Sequence, residues 1–347
     1  MRTFTIALTL LFGACSGPAA APPPDSGPNA PDASSFVHDP GLEGPPFRLD
    51  DSKCTALADR IVCTDVLFST VDGTELLLDL FAPLAARSQR VPAIMYVHGG
   101  GWLAGSHAAA GLDIDTFIAA GDVVLSIDYR LTAMHGDPQM PTGIVFPQNL
   151  QDVKTAVRWL RTKAGDFVDP DRILAYGFSA GAHLVSLLGT TASVAAFEGR
   201  GDPTIPSSVR AVVGLSTPID FHLFVPQNPP LADTCPPQPP PGPGGTPSIG
   251  ISLLIGGDFA DPANSAKLDE VSALTYIDAS SAPMKLFAGT CDQVVPYTGA
   301  KALVDLGTAR GAQVSEHVTD GAFHGGTLST PDAKQELGTF IAAQLAP

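Results

Sequence analysis

A serine with a glycine two residues to either side stands out in this chain, because residues 177–181 read Gly-Phe-Ser-Ala-Gly. A serine hydroxyl is a weak nucleophile at neutral pH, and a sharp turn with glycines on both sides can present its oxygen to a base and to a substrate. The pattern is short and also arises by chance, so the secondary structure predicted on either side of it is needed to identify a nucleophile. Apolar residues 173–176 predict a strand before Ser179, and leucines at helical spacing predict a helix after it.

Three consecutive glycines, Gly99, Gly100 and Gly101, follow a second apolar strand pattern at 93–97. Hydrolysis of an ester passes through an oxyanion, and a backbone without side chains can turn its N–H groups toward that charge at close range. An ordinary tight turn is the alternative interpretation. We expect His98, just before the glycines, to hold this loop rather than to carry a proton, because the base of such a site normally comes last in the chain.

An acid and a base should follow the serine in the order Asp or Glu, then His. Asp292 comes just after a strand pattern at 284–289, and His324 follows a last strand pattern at 314–319. In open α/β sheets, active residues collect at the carboxyl ends of strands. We therefore predict that His324 takes the proton of Ser179 and that Asp292 orients the imidazole. This chemistry needs no metal.

Three other titratable residues are rivals for these roles. Asp258 and Asp261 are alternative acids, but no clear strand pattern precedes them. His183 lies four residues after Ser179, one helical turn along the same face. Chain order and its place on a helix favour a packing role for His183, so Asp292 and His324 remain the predicted acid and base.

The elements that must position these residues alternate as strand and helix from residue 91 onward. This order predicts a mostly parallel sheet with helices on both faces. Residues 66–81 differ, because two apolar runs flank Asp72 and Gly73, which predicts an antiparallel amino-terminal hairpin. Residues 151–161 predict an amphipathic crossover helix with Trp159 in the core. We expect Asp128 and Arg130, after the strand at 123–127, to brace the loop that supports the glycines.

Several of these motifs together resemble the α/β-hydrolase esterases, most closely the bacterial feruloyl and acetyl esterase-like branch that neighbours the hormone-sensitive-lipase-like esterases. The resemblance covers roughly residues 60–345 and implies an α/β-hydrolase fold. It also implies a carboxylic ester hydrolase that uses Ser179, Asp292 and His324 and requires no cofactor. The N–H groups of Gly100, Gly101 and Ala180 are then the oxyanion donors. The motifs lie at 96–102, 126–131, 146–160, 177–184 and 289–296.

The amino terminus predicts export. Arg2 precedes an apolar stretch at 4–12, which is too short to span a membrane and is typical of a signal peptide ending near residue 15. Gly13 and Ala14 before Cys15 resemble the bacterial lipobox, which implies a lipid anchor on Cys15. Phe12 departs from that motif, so plain secretion is the alternative. Residues 16–50, rich in Pro and Ala at 18–31, are expected to form a tether ahead of a catalytic domain at 51–347.

Four cysteines remain once Cys15 is set aside, an even number in a chain expected to enter an oxidising compartment. Cys54 and Cys63 form the local pair, which would leave Cys235 to meet Cys291. A buried free thiol at Cys291 is the alternative, and four cysteines allow three pairings. Residues 226–245 around Cys235 are dense in Pro and Gly, and we expect this loop to border the substrate pocket as a lid.

Net charge limits the partners. The formal charge of −16, without a basic stripe, argues against nucleic acid and against anionic lipid surfaces, apart from the lipid anchor. The expected partner is a small-molecule or polysaccharide-borne ester of short acyl or aromatic-acyl type. Two alternatives stay open: a non-catalytic surface protein that binds through the same fold, and a formamidase or peptidase with the same triad. The oligomeric state is not predicted.

Overall fold

Nine strands and seven α-helices make up the framework of the residues described by this computed structural model, which are Asp39, 41–224, Ala232, Cys235 and 247–347. Short 3₁₀ turns connect several of them. The strands are β1 (Cys54–Ala56), β2 (Arg60–Val71), β3 (Thr74–Pro83), β4 (Val91–Val97), β5 (Val123–Ile127), β6 (Val168–Phe178), β7 (Ala211–Leu215), β8 (Met284–Gly289) and β9 (Val314–Thr319). The helices are α1 (Ile114–Ala120), α2 (Gln148–Thr162), α3 (Ala180–Thr190), α4 (Pro247–Ile255), α5 (Ser265–Glu270), α6 (Thr298–Ala309) and α7 (Pro331–Leu345).

All nine strands join one sheet in the order β1-β2-β3-β5-β4-β6-β7-β8-β9. The pairs β1/β2, β2/β3 and β3/β5 are antiparallel, and every pair from β5/β4 to β8/β9 is parallel. Parallel neighbours end at the same edge, so the loops after β4, β6, β8 and β9 share one side of the sheet. The predicted α/β-hydrolase fold, a mostly parallel sheet with an antiparallel amino-terminal hairpin, is confirmed.

Helices cover both faces of the sheet, which explains why its central strands are almost continuously apolar. Side chains alternate between the faces along β4. Ile94 and Tyr96 pack in one cluster with residues of α1 and α7, whereas Met95 packs in the other cluster with residues of α2 and α3. Trp159 of α2 is 1% exposed and belongs to this second cluster, as predicted.

The predicted hairpin is formed by β2 and β3. Its turn residues Asp72 and Gly73 have φ of 51° and 81°, the left-handed conformation that a two-residue turn of this type requires. The strands extend beyond the predicted 66–81, because Arg60 already pairs with Pro83. The short strand β1, which carries no apolar alternation and was not predicted, is added at the edge, where Cys54 pairs with Cys63.

Two predictions fall largely outside the described residues: the signal peptide with Cys15, and the lid at 226–245. The end of the expected tether is described and packs against α2 and the residue that follows it. Phe47 lies 5.6 Å from Trp159 between ring centroids, and the Lys163 Nζ donates to the carbonyl oxygen of Pro45 at 3.1 Å. Across the residues with described placement, no helix combines the length and apolarity needed to cross a membrane.

Candidate active site

Ser179 occupies the turn between β6 and α3, with φ 53° and ψ −121°. Such a conformation is strained for a residue with a side chain and persists only when its surroundings enforce it. A Cβ on Gly177 would lie 2.5 Å from the backbone of Gly181, and one on Gly181 would lie 2.0 Å from the carbonyl oxygen of Val97. Both glycines are therefore needed for strand and helix to meet at this sharp turn.

The structure brings Ser179, Asp292 and His324 together. His324 Nε2 lies 3.1 Å from Ser179 Oγ, while its Nδ1 lies 2.9 Å and 3.1 Å from the two carboxylate oxygens of Asp292. A neutral imidazole in this position donates from Nδ1 to the carboxylate and accepts the serine hydroxyl proton at Nε2. The geometry is that of a nucleophile, a general base and an orienting acid.

Asp292 is held by more than the histidine. Its side chain is 1% exposed to solvent, and its Oδ1 accepts hydrogen bonds from the N–H groups of Val294 and Val295, each at 2.9 Å. A buried carboxylate needs such donors. Aspartates commonly form turns by accepting hydrogen bonds from the N–H groups two and three residues later in the chain. The position of the Asp292 carboxylate therefore follows from local sequence.

The glycine loop lies against the nucleophile. A Cβ on Gly99 would lie 3.2 Å from the Cβ of Ser179, and Gly100 and Gly101 have φ of 117° and 60°. Within the described part of the chain, no hydrogen bond occupies the N–H groups of Gly100 and Gly101. The N–H of Ala180, at the first position of α3, has no intrahelical partner either. These are the three N–H groups that the resemblance to α/β-hydrolase esterases implies as oxyanion donors.

His98 supports this loop instead of entering the proton relay. Its Nδ1 lies 2.7 Å from the carbonyl oxygen of Gly99, and its ring stacks on Tyr129 with 4.4 Å between centroids. The Tyr129 hydroxyl donates to the carbonyl oxygen of His98 at 3.1 Å. Burial lowers the pKa of His98, which keeps the imidazole neutral at physiological pH.

The BD-FAE family model matches residues 78–306, which is more than half of the chain and includes the glycine loop, the serine turn and Asp292. The chain belongs to the BD-FAE family. Matches to curated proteins are partial. Esterase LipC of Mycobacterium tuberculosis is 34% identical over 153 residues, 44% of this chain and 36% of LipC. Carboxylesterase NlhH of the same organism is 32% identical over 125 residues, 34% of this chain and 34% of NlhH.

Solved structures resemble this BD-FAE protein over nearly their whole length. A truncated carbohydrate esterase from gut microbiota superposes with a TM-score of 0.65 at 22% identity, covering 88% of this chain and 100% of that one. Esterase 2 of Thermogutta terrifontis superposes with a TM-score of 0.62 at 23% identity, covering 87% and 96%. At these identities the likeness establishes the fold. The chain spans only about a third of the curated relatives LipC and NlhH.

The rival residues do not reach His324. His183 is fully buried, accepts a hydrogen bond from Trp102 Nε1 at 3.1 Å and lies 2.8 Å from the carbonyl oxygen of Val271, so it packs the core as predicted. Burial lowers its pKa to about 4. Asp258 and Asp261 are exposed and accept hydrogen bonds from N–H groups two residues ahead of each. Both aspartates therefore serve local turns.

Asp128 and Arg130 brace the loop, but through separate partners. Arg130 pairs with Asp152 of α2 at 2.8 Å, whereas Asp128 accepts hydrogen bonds from the N–H groups of His107 and Leu77. The contact of His107 with Asp128 was not predicted, because no sequence motif near His107 links it to an aspartate 21 residues further along the chain.

The four cysteines among the described residues form two disulfides, Cys54–Cys63 and Cys235–Cys291. The first joins neighbouring strands β1 and β2. The second joins residues 56 positions apart, and Cys291 directly precedes Asp292. Cys291 is therefore not a free thiol, and its bond holds Cys235 next to the residue that precedes the acid of the candidate triad.

Proposed function

We propose that this BD-FAE protein is a serine carboxylesterase that works through an acyl-enzyme. The observation that carries this proposal is the 3.1 Å approach of His324 Nε2 to Ser179 Oγ, with Asp292 on the other ring nitrogen. The family match and the partial matches to LipC and NlhH support the same reaction class.

The reaction starts when Ser179 Oγ attacks the ester carbonyl carbon and His324 Nε2 takes the hydroxyl proton. The carbonyl electrons move to oxygen, where the N–H groups of Gly100, Gly101 and Ala180 stabilise the negative charge. Collapse of this intermediate breaks the ester C–O bond, and His324 returns the proton to the departing alkoxide. Water then attacks the acyl-enzyme by the same steps and releases the acid and free Ser179.

A small apolar cavity between the segment 132–145 and the end of α4 is the basis for proposing short acyl or aromatic-acyl substrates. Its volume is about 350 Å³, close to the lower end for ligand pockets, and its lining includes Thr132, Val145 and Leu253. Thr132 N–H donates to the carbonyl oxygen of Trp102 at 2.9 Å, which connects this cavity to the end of the glycine loop. The space suits a short chain or one aromatic ring. The similarity to a carbohydrate esterase favours an alcohol carried on a saccharide.

Covalent labelling tests the nucleophile. A solved structure of Thermogutta terrifontis esterase 2 is described as phosphorylated by paraoxon. We expect paraoxon to inactivate the present protein with one phosphoryl group per chain and to leave the adduct on Ser179, found by mass spectrometry of peptides. Ser186 of α3, whose hydroxyl bonds the carbonyl oxygen of Ala182, is the internal control and stays unmodified. Labelling elsewhere, or none, would contradict the proposal.

Acyl length tests the substrate class. With nitrophenyl esters from acetate to decanoate, we expect kcat/KM to be highest for the shortest acids and to fall at least about tenfold by decanoate, because a small cavity excludes longer chains. Hydrolysis of methyl ferulate, measured alongside, tests the aromatic acyl group. Rates corrected for Ser179→Ala give the true preference. A maximum at decanoate would overturn the assignment to short esters.

We propose further that the protein is exported and anchored through lipidated Cys15. Two disulfides are compatible with an oxidising compartment. Metabolic labelling with a palmitate analogue in a bacterial host checks the anchor. We expect label on the wild-type chain and none on Cys15→Ala, whereas a secreted, unlabelled wild type would show that the sequence directs plain secretion.

A further inference from the structure

His107 lies at the centre of a group of carboxylates outside the candidate triad. Its Nδ1 is 3.0 Å from Asp128 Oδ2, and its Nε2 is 3.1 Å from Asp65 Oδ1 and 3.7 Å from Asp79 Oδ1. The histidine is 8% exposed. The three acids come from β2, β3 and the loop after β5, so one imidazole joins the antiparallel edge of the sheet to the segment that follows β5.

The surroundings favour the charged imidazolium. Burial by itself would lower the pKa of His107, but the nearby carboxylate of Asp128, together with Asp65 and Asp79, outweighs it and raises the pKa above its ordinary value. Among the described residues, His98 and Tyr129 are further titratable groups near this cluster, and both are neutral because burial lowers the pKa of His98 and raises the pKa of Tyr129. A raised pKa extends the pH range over which His107 carries a positive charge among the three carboxylates.

Asp128 connects this cluster to the glycine loop. The Asp128 carboxylate accepts the N–H of His107 at 2.7 Å and the N–H of Leu77 at 3.2 Å. The next residue, Tyr129, donates to the carbonyl oxygen of His98 at 3.1 Å, and Thr132 donates to the carbonyl oxygen of Trp102 at 2.9 Å. The segment 128–132 therefore holds the glycine loop at both of its ends.

We propose that His107, as an imidazolium, is a positioning residue that keeps the N–H groups of the glycine loop aimed at the oxyanion. The inference rests on the proposed esterase function. Its basis is the contact series from His107 through Asp128 and Tyr129 to His98, together with the attachment of Thr132 at Trp102.

Deprotonation of His107 should weaken this arrangement. Because its pKa is raised in the folded protein, the stabilisation is complete below the ordinary value and is lost as pH rises through the raised one. Three neighbouring carboxylates would then repel each other without a compensating charge. Oxyanion donors act on charge that develops in the transition state, so kcat should fall on the alkaline side while KM changes little.

The test is the pH profile of kcat for nitrophenyl acetate hydrolysis, in wild type and in two variants. Asp65→Asn removes the most exposed carboxylate while asparagine tolerates the φ of 51° at this position. We expect it to move the alkaline fall in kcat to lower pH by about half a pH unit. His107→Gln should lower kcat on the order of tenfold with KM within about twofold, and should remove the alkaline limb.

His317→Gln is the matched control, because His317 also pairs with a carboxylate, Glu336 at 2.9 Å, but lies on β9 away from the glycine loop. It should keep the wild-type kcat and profile. An alkaline limb that does not move in Asp65→Asn would overturn the inference and leave the esterase assignment standing, even if His107→Gln fails to fold. Full activity in Ser179→Ala would overturn the esterase assignment itself.

A bound metal is the competing outcome. Ligand atoms of Asp65, Asp79 and His107 all lie within 4.8 Å of one another, a spacing that a divalent cation also accepts. If EDTA abolished activity and Zn²⁺ or Mn²⁺ restored it in wild type but not in Asp65→Asn, His107 would be a neutral ligand, and the imidazolium proposal would be wrong. Unchanged activity in EDTA supports it.

Discussion

Ser179→Ala is expected to lower kcat for nitrophenyl acetate by about three to six orders of magnitude. Alanine removes the oxygen that forms the acyl-enzyme, and what remains is catalysis by the oxyanion donors and by binding. KM should change little, because the serine forms its bond with the substrate only during the reaction. The fold should persist, since alanine loses one hydroxyl and keeps the β-carbon. Single-turnover and steady-state hydrolysis, with circular dichroism of both proteins, provide the measurement.

Ser186→Ala is the matched control for this loss. Ser186 of α3 lies two helical turns beyond Ser179 and is buried, and among the described residues its hydroxyl donates only to the carbonyl oxygen of Ala182. Its replacement should leave kcat within about twofold. Equal, feeble hydrolysis by wild type and Ser179→Ala would contradict the esterase proposal and favour the alternative of a binding protein with the hydrolase fold.

Asp292→Asn is expected to lower kcat by about 10³- to 10⁴-fold. The amide removes the negative charge that stabilises the imidazolium, and its NH₂ group can turn the Nδ1 of His324 into an acceptor, which places the proton on Nε2 where the base must be free. The amide oxygen can still accept the N–H groups of Val294 and Val295, so the loop should keep its conformation. Comparison of kcat with thermal unfolding separates chemistry from folding.

Asp258→Asn and Asp261→Asn are the controls for the acid. Both aspartates were rivals by sequence, and both form only local turn hydrogen bonds among the described contacts. We expect each variant to keep kcat within about twofold. A loss at Asp258 or Asp261 comparable to that at Asp292 would show that a different acid orients His324 during turnover.

Much of the candidate site could be predicted because its chemistry is written in local patterns. The turn at Ser179 has glycines at positions where a side chain would clash with the backbone. The strand before it carries apolar side chains that pack on both faces of the sheet. Asp292 and His324 each follow a strand by a few residues. Parallel strands bring their carboxyl ends to one edge, so order along the chain was enough to select these residues.

Other features depend on contacts between distant segments. The pairing Cys235–Cys291 was one of several that the sequence left open, and the edge strand β1 has no periodic pattern of its own. Asp128 and Arg130 were expected to brace the loop, but their partners, His107 and Asp152, lie elsewhere in the sequence. In each case several residues of the same type could be the partner, and only their distances in the folded protein show which of them forms the contact.

Backbone periodicity and the need for glycine act over a few residues. The order of strands and helices along the chain, the sharp turn at Ser179 and the functional residues after β8 and β9 could therefore be predicted from local sequence. The folded structure was needed to show that three acids from β2, β3 and the loop after β5 surround His107. It was also needed to show that the segment 128–132 donates hydrogen bonds to His98 and Trp102, on either side of the glycine loop. Hydrogen bonds and close ion pairs form only over a few ångströms. Segments that are distant in the sequence come within that range only when the sheet forms.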